Sequence, residues 1–196
     1  MDKTIEYYNA TAKDYFERTF SLEMSSIYER FIKYLKAGSY ICDLGCGSGR
    51  DSKYFLSQGF TVMPIDGSLE MCRLASNFLG QKIICQKFDE ISYKNEFDAI
   101  WACSSLLHIQ KSRLSYIMEK LIQAAKDSAV IYFCVKIGNS ERIIDGALFS
   151  DYKQDEMLSF ISKHKSLQLI EIWISDDVRN QHERPQWLNI IVKITK

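Results

Sequence analysis

The run Tyr40-Ile41-Cys42-Asp43-Leu44-Gly45-Cys46-Gly47-Ser48-Gly49 constrains this chain most. A short apolar strand reaches an acid, then three glycines at alternate positions, then a polar stretch compatible with a helix. Glycine lets a backbone turn sharply and lie flat against a ligand. A glycine-rich turn between a strand and a helix is therefore a candidate nucleotide seat. A second apolar strand, Thr61-Val62-Met63-Pro64-Ile65-Asp66, also ends in an acid, 23 residues after Asp43. That is about one strand-helix-strand unit, the spacing expected of a carboxylate that holds a ribose.

The surrounding pattern alternates between helical and strand periods. Helices are predicted at about 3–18 and 22–36, the second with Ile27, Phe31, Tyr34 and Leu35 on one face. Strand 39–44, helix 50–58, strand 60–65, helix 68–79 and strand 82–86 follow. Next come strand 97–102, a helix at about 111–126 and the continuously apolar strand 129–136. A polar loop over 138–152, a helix at about 153–165 and strands 167–174 and 187–194 complete the chain. Strands alternating with helices imply an α/β, doubly wound, mostly parallel sheet of seven strands. Helices cover both faces, the C-terminal strand is antiparallel, and the first helices form a lid. One domain, 1–196, accommodates this: a helical lid at about 1–36, a cofactor-binding half at about 37–136 and a substrate-side half at about 137–196. Ligands in such sheets sit beyond the strand C-termini, which brings Asp43, the glycines, Asp66, Phe88-Asp89 and Cys103 to His108 to one rim.

Charge narrows the partners. Lys+Arg and Asp+Glu both total 25, giving zero formal charge. A protein that grips nucleic acid through phosphates is usually basic, so nucleic acid is disfavoured. No apolar stretch approaches the roughly 18 residues of a membrane span, and the start lacks a signal-peptide core, so a cytoplasmic location is expected. Six cysteines form no Cys-x-x-Cys pair and the three histidines are scattered. Reduced thiols and no metal site are the expectation.

The glycine spacing separates the nucleotides. Dinucleotide folds use Gly-x-Gly-x-x-Gly, with the third glycine five residues after the first; here Gly49 follows Gly45 by four. Asp43 would meet a pyrophosphate unfavourably and an ammonium group favourably. A zwitterionic amino acid joined to adenosine satisfies both: carboxylate toward the helix N-terminus, ammonium near Asp43 and the Gly45 carbonyl, ribose on Asp66. S-adenosylmethionine is such a molecule.

Asp-Leu-Gly-Cys-Gly-Ser-Gly at 43–49 resembles the cofactor motif of the class I S-adenosylmethionine-dependent methyltransferases, a Rossmann-like superfamily. Ile65-Asp66-Gly67-Ser68-Leu69-Glu70-Met71 resembles the family's second-strand motif. Phe97-Asp98-Ala99-Ile100 and Leu107-His108-Ile109 resemble its fourth strand and the segment after it. Tyr7-Tyr8-Asn9-Ala10-Thr11-Ala12-Lys13-Asp14-Tyr15 resembles the N-terminal helix that often lids the cofactor. The resemblance implies methyl transfer by in-line displacement, with S-adenosylhomocysteine as product. It assigns cofactor binding to Tyr15, Asp43, Gly45, Gly47, Gly49, Asp66, Gly67 and Met71. Where family members often carry an acid for the adenine amino group, this chain has Lys87; Asp89 or the Phe88 backbone takes that role.

Other residues carry two readings. Cys103 lies near the methionine part of the cofactor through its backbone, since nothing in the sequence activates its thiol. His108 is either a general base or a packed, hydrogen-bonded imidazole. Arg142 with Phe149, and Arg179 with Trp187, are substrate candidates or solvated loop residues. The arginines would suit a small anionic acceptor. Protein or RNA methylation, a nucleotide-dependent oxidoreductase and a non-catalytic cofactor-binding scaffold are the rival readings.

Overall fold

The computed structural model describes residues 3–179 and 185–196. Helices α1 (Lys3–Thr19) and α2 (Ser25–Ile32) precede strand β1 (Tyr40–Leu44). Then follow α3 (Arg50–Ser57), β2 (Thr61–Asp66), α4 (Leu69–Leu79), β3 (Ile84–Cys85) and β4 (Phe97–Ala102). The chain continues through α5 (Leu114–Ala124), β5 (Ala125–Lys136), β6 (Glu141–Ile144), β7 (Ala147–Ser150), α6 (Gln154–Lys163), β8 (Leu167–Asp176) and β9 (Gln186–Ile194).

Seven strands form one sheet in the order β3-β2-β1-β4-β5-β9-β8. The pairings from β3 to β5 are all parallel. Strand β9 inserts between β5 and β8, antiparallel to both. This is the doubly wound architecture predicted from the alternation, with its reversal in the last strand.

The two faces of β5 explain why its residues 129–135 are continuously apolar. Ile131, Phe133 and Val135 pack with Leu114, Ile117, Met118 and Leu121 of α5 and Met157 and Ile161 of α6. Val130, Tyr132 and Cys134 face the opposite way, toward Ile27, Tyr28 and Phe31 of α2 and Phe55 of α3. A strand covered on both sides has no position left for a polar residue. Trp101 and Tyr132 stack at 4.0 Å beneath α2, both fully buried. Burying a large side chain contributes roughly 1.5–3 kcal/mol, so these aromatics anchor the sheet below its C-terminal rim.

Three expectations are corrected. Residues 138–152 are a β-hairpin rather than a polar loop: β6 pairs antiparallel with β7. Asp145 and Gly146 turn the hairpin with φ of 51° and 94°, the positive values that Asp-Gly pairs favour in two-residue turns. Strand 82–86 shortens to Ile84–Cys85, paired only with Ile65 and Asp66 at the sheet edge; short edge strands limit exposure of unpaired backbone. The helix expected over 111–126 opens as a short 3-10 turn, Lys111–Arg113, and gives way to strand at Ala125.

Helix α1 leans on α4 through Phe16, with Phe20 just past its end, against Phe78, and Thr4 Oγ1 accepts from the Leu148 N–H of β7 at 3.1 Å. Helix and hairpin therefore meet above the C-terminal rim. Among the described residues no helix is long and apolar enough to cross a membrane.

Candidate functional site

The site grows from the turn after β1. The Gly45 and Cys46 N–H groups donate to the Ile65 carbonyl at 2.8 and 2.9 Å, binding the turn to the end of β2. Gly45 has φ +76°, and a Cβ there would sit 2.5 Å from the Ser105 Cβ. No side chain fits, so bare backbone faces the space above. The Asp66 carboxylate accepts from the Gly47 N–H at 2.9 Å and the Ser68 N–H at 2.8 Å. Burial raises the Asp66 pKa, and those N–H groups oppose the rise. The cap of α4 is Ser68, whose Oγ accepts from the Met71 N–H, so Asp66 keeps lone pairs for a ligand.

A cavity of about 520 Å³ opens above this turn. Of the residues singled out in the sequence, Tyr15, Gly45, Gly47, Asp66, Gly67, Met71, Phe88, Asp89 and His108 line it. Three expected cofactor residues, Asp43, Gly49 and Cys103, are absent from its lining. Asp43 is buried beneath the turn and accepts from the Ser52 hydroxyl at 2.5 Å. Burial, reinforced by the nearby Asp51 charge, pushes its pKa up to about 8. A carboxyl buried there braces the turn from below instead of meeting a ligand's ammonium. Gly49 begins α3 with φ 80° and packs toward Leu79, so its role is to start the helix.

A second cavity of about 200 Å³ adjoins the first, bounded by α1, the end of β5 and the residues after β8. Cys103, Phe149, Arg179 and Trp187 line it. Arg142 lines neither cavity: it forms an ion pair with the buried Asp151, which corrects its placement among substrate residues. Arg179 is also engaged. Its Nε and Nη2 donate to the two carboxylate oxygens of Asp177 at 2.8 and 2.5 Å, and Trp187 Nε1 donates to Asp177 at 3.0 Å. The 175–186 loop expected near the acceptor lies only partly within the described residues, since 180–184 are outside them.

Tyr8, Tyr15, Gly45, Gly47, Ser104 and His108 line both cavities and so form their junction. There His108 Nδ1 lies 2.7 Å from the Leu148 carbonyl oxygen. A carbonyl can only accept, so Nδ1 carries the proton in the neutral ring. Nε2 then accepts from the Tyr8 hydroxyl at 2.8 Å. Burial raises the Tyr8 pKa well above its ordinary value and that of Tyr15 to about 12. Both phenols stay protonated at neutral pH.

Comparisons with known proteins give the family and the fold. Residues 15–186 match the model of a methyltransferase domain. The chain belongs to the class I S-adenosylmethionine-dependent methyltransferase superfamily. An uncharacterized protein of Methanocaldococcus jannaschii is 29% identical over 154 residues, covering 76% of this chain and 58% of that protein. The chain thus spans little more than half the length of that curated relative. Among solved structures, the Burkholderia thailandensis 1,6-didemethyltoxoflavin N1-methyltransferase, with 1,6-didemethyltoxoflavin and S-adenosylhomocysteine bound, superposes with a TM-score of 0.79 at 15% identity. It covers 99% of this chain and 88% of that one. The Synechocystis magnesium protoporphyrin IX methyltransferase with S-adenosylhomocysteine bound gives 0.76 at 14% identity, covering 100% of both chains.

The residues of this cavity fit S-adenosylmethionine on an observation internal to the chain. The Ser105 hydroxyl is buried, belongs to a residue that lines the larger cavity and has no hydrogen-bond partner among the described residues. A buried hydroxyl left without a partner costs about 1–3 kcal/mol, and a polar ligand in this cavity would satisfy it. Together with the bare Gly45 backbone and the Asp66 carboxylate, it gives the methyltransferase polar groups along one wall, with apolar Phe88, Met71 and Ile117 also in the lining.

Sequence reasoning missed two features of the methyltransferase. Lys136, at the C-terminal end of β5, lines the smaller cavity; as the one charge closing an apolar strand at the functional rim, it was legible in principle. Buried Asp51 accepts from Tyr28 at 2.5 Å, Arg50 at 2.6 Å and Trp101 at 2.8 Å. Burial alone would raise its pKa, yet the Arg50 charge and these donors hold it below the usual carboxylate range. Those partners come from α2, α3 and β4, and no local pattern announces such a convergence.

Proposed function

We propose that this chain transfers a methyl group from S-adenosylmethionine to a small-molecule acceptor. The observation that carries this reading is the meeting of two cavities at one wall of shared residues. The larger has the features of a nucleoside and amino-acid seat, and the smaller is sized for a metabolite. It lies below the roughly 300–1,000 Å³ of drug-sized pockets. The Burkholderia structure, which holds a small heterocycle and S-adenosylhomocysteine, is consistent with that division.

When bound, S-adenosylmethionine supplies a methyl group already activated on a sulfonium. Asp66 would hold the ribose, the Gly45–Gly47 backbone and Ser105 the amino-acid portion, and Phe88 with Met71 the adenine. The protein's chief task is then alignment, which supplies roughly 7–11 kcal/mol in well-oriented reactions. Tyr15 closes the junction from α1.

The remaining task is removal of a proton from an oxygen or nitrogen acceptor. Nε2 of His108 already accepts a hydrogen bond from the Tyr8 hydroxyl, and Nδ1 is fixed on Leu148. His108 therefore acts as the base through Tyr8. The raised Tyr8 pKa disfavours a standing phenolate, so the acceptor's proton reaches the phenol as the phenol's own passes to the imidazole. General-base assistance contributes about 10²–10⁴-fold.

A screen of metabolites for transfer of a labelled methyl group tests the reading. On an acceptor so found, Tyr8→Phe should lower turnover by at least about 10²-fold while S-adenosylhomocysteine affinity holds. Undiminished turnover would remove the relay. No transfer to any metabolite, with transfer to a protein or RNA instead, would overturn the small-molecule assignment.

A further inference from the structure

Among the described residues, two cations of the smaller cavity have no carboxylate partner: Arg18, whose Nε donates to the Asp14 carbonyl on its own helix, and Lys136. Four cationic residues line it, Arg18, Arg50, Lys136 and Arg179, against three carboxylates, Asp51, Asp176 and Asp177. Arg50 is spent on Asp51 and Arg179 on Asp177. Lys136 has no ion pair or hydrogen bond from its ammonium among the described residues. It is half-buried at the end of β5, and its register partner on β9 is Trp187. Its Nζ lies 5.1 Å from the Phe149 ring centre and 5.7 Å from that of Trp187. Burial, and then the positive charges of Arg179 and Arg142, lower its pKa, while Asp177 opposes them. An anion arriving beside it would relieve that repulsion.

Geometry sets the length of what could bind. The His108 and Phe149 ring centres are 4.9 Å apart, and Phe149 lies 5.1 Å from the ammonium. Those two steps put the His108 ring within 10 Å of Lys136 Nζ. With a hydrogen bond of about 3 Å at the Lys136 end, that upper limit of 10 Å leaves room for one aromatic ring carrying a carboxylate and not for a long chain. Phe149 and Trp187 both line the cavity beside Lys136, and aromatic rings favour edge-to-face or offset contact with another ring.

We propose that the acceptor is a small aromatic carboxylate: Lys136 anchors its carboxylate, Phe149 and Trp187 flank its ring, and its nucleophilic atom points toward Tyr8 and His108. This rests on reading the smaller cavity as the acceptor chamber, and it replaces Arg142 and Arg179 with Lys136 as the anion-binding group. Lys136 is a positioning residue in this scheme, touching the acceptor far from the reacting atom.

The test uses the intact chain saturated with S-adenosylhomocysteine. Benzoate, 4-hydroxybenzoate and 2-naphthoate are each titrated against the matching carboxamide, by calorimetry and tryptophan fluorescence. A charge-assisted contact should make at least one acid bind about 10-fold or more tighter than its amide. Lys136→Met should erase that preference with S-adenosylhomocysteine affinity unchanged, and Lys136→Arg should keep part of it. Trp187→Phe should diminish the fluorescence change while leaving the preference for acids. Amides that bind as well as acids, a preference that survives Lys136→Met, or no binding by any acid to the complex would each overturn the proposal while the cofactor assignment stands. Failure of S-adenosylhomocysteine itself to bind would instead defeat the methyltransferase reading.

Discussion

Gly45→Ala tests the turn on which the site is built. At φ +76° an alanine adopts a left-handed conformation, which costs about 1–2 kcal/mol. Its Cβ would also lie 2.5 Å from the Ser105 Cβ, where carbon atoms rest at about 3.5–4.0 Å. The turn or the Ser105 backbone must shift by about 1 Å, and overpacking of that kind costs a further 1–3 kcal/mol or so. Gly59 supplies the control: its φ is +83° and nothing lies within 4 Å of an added Cβ. Gly59→Ala should therefore show the strain alone, and Gly45→Ala the strain plus the overlap. Urea unfolding, extrapolated to water, measures both. Adding Ser105→Gly to Gly45→Ala removes the opposing Cβ, so the double variant should recover about 1–3 kcal/mol relative to the sum of the singles. The reasoning fails if Gly45→Ala is no less stable than Gly59→Ala, or if the two changes simply add.

Two further outcomes follow from the buried carboxylates. Asp66→Asn replaces one acceptor oxygen by a donor amide, so S-adenosylhomocysteine affinity should drop about 10-fold or more; unchanged affinity in the folded variant, read by calorimetry, would exclude a ribose role. Asp43 has a folded pKa of about 8 against about 3.9 for an unfolded aspartate. Between these values the native state binds a proton that the unfolded chain has lost, so stability falls as pH rises, by at most about 1.4 kcal/mol per unit. Melting of the native chain and Asp43→Asn at pH 5 to 8 should show that decline in the first and not in the second. Parallel curves would mean that Asp43 titrates normally.

The legible parts of this fold were those where local chemistry and global packing ask for the same residues. β5 reads as a doubly covered strand because both its faces are core. The turn after β1 reads as a ligand seat because only glycine fits against Ser105. Asp66, singled out by its spacing from Asp43, lines the larger cavity. Asp43 lies buried beneath the turn, a placement that sequence order does not give: it sets the distance from the turn but not which side the carboxylate takes. The hairpin at 141–150 reads as loop because its strands are only four residues each and follow the polar run Gly138 to Arg142, although apolar pairs flank Asp145-Gly146. Arg142 looked like a ligand group because its partner Asp151 is nine residues away on the chain yet within salt-bridge contact. Lys136 escaped because its surroundings come from β7 and β9, assembled only in three dimensions.

Calorimetry of the intact chain with S-adenosylhomocysteine and, separately, with a nicotinamide dinucleotide tests the account most directly. Saturable binding of the first at a single site, weakened by Asp66→Asn, and no heat from the second is the predicted result. A folded protein that binds the dinucleotide, or that ignores S-adenosylhomocysteine, would contradict the account at its centre.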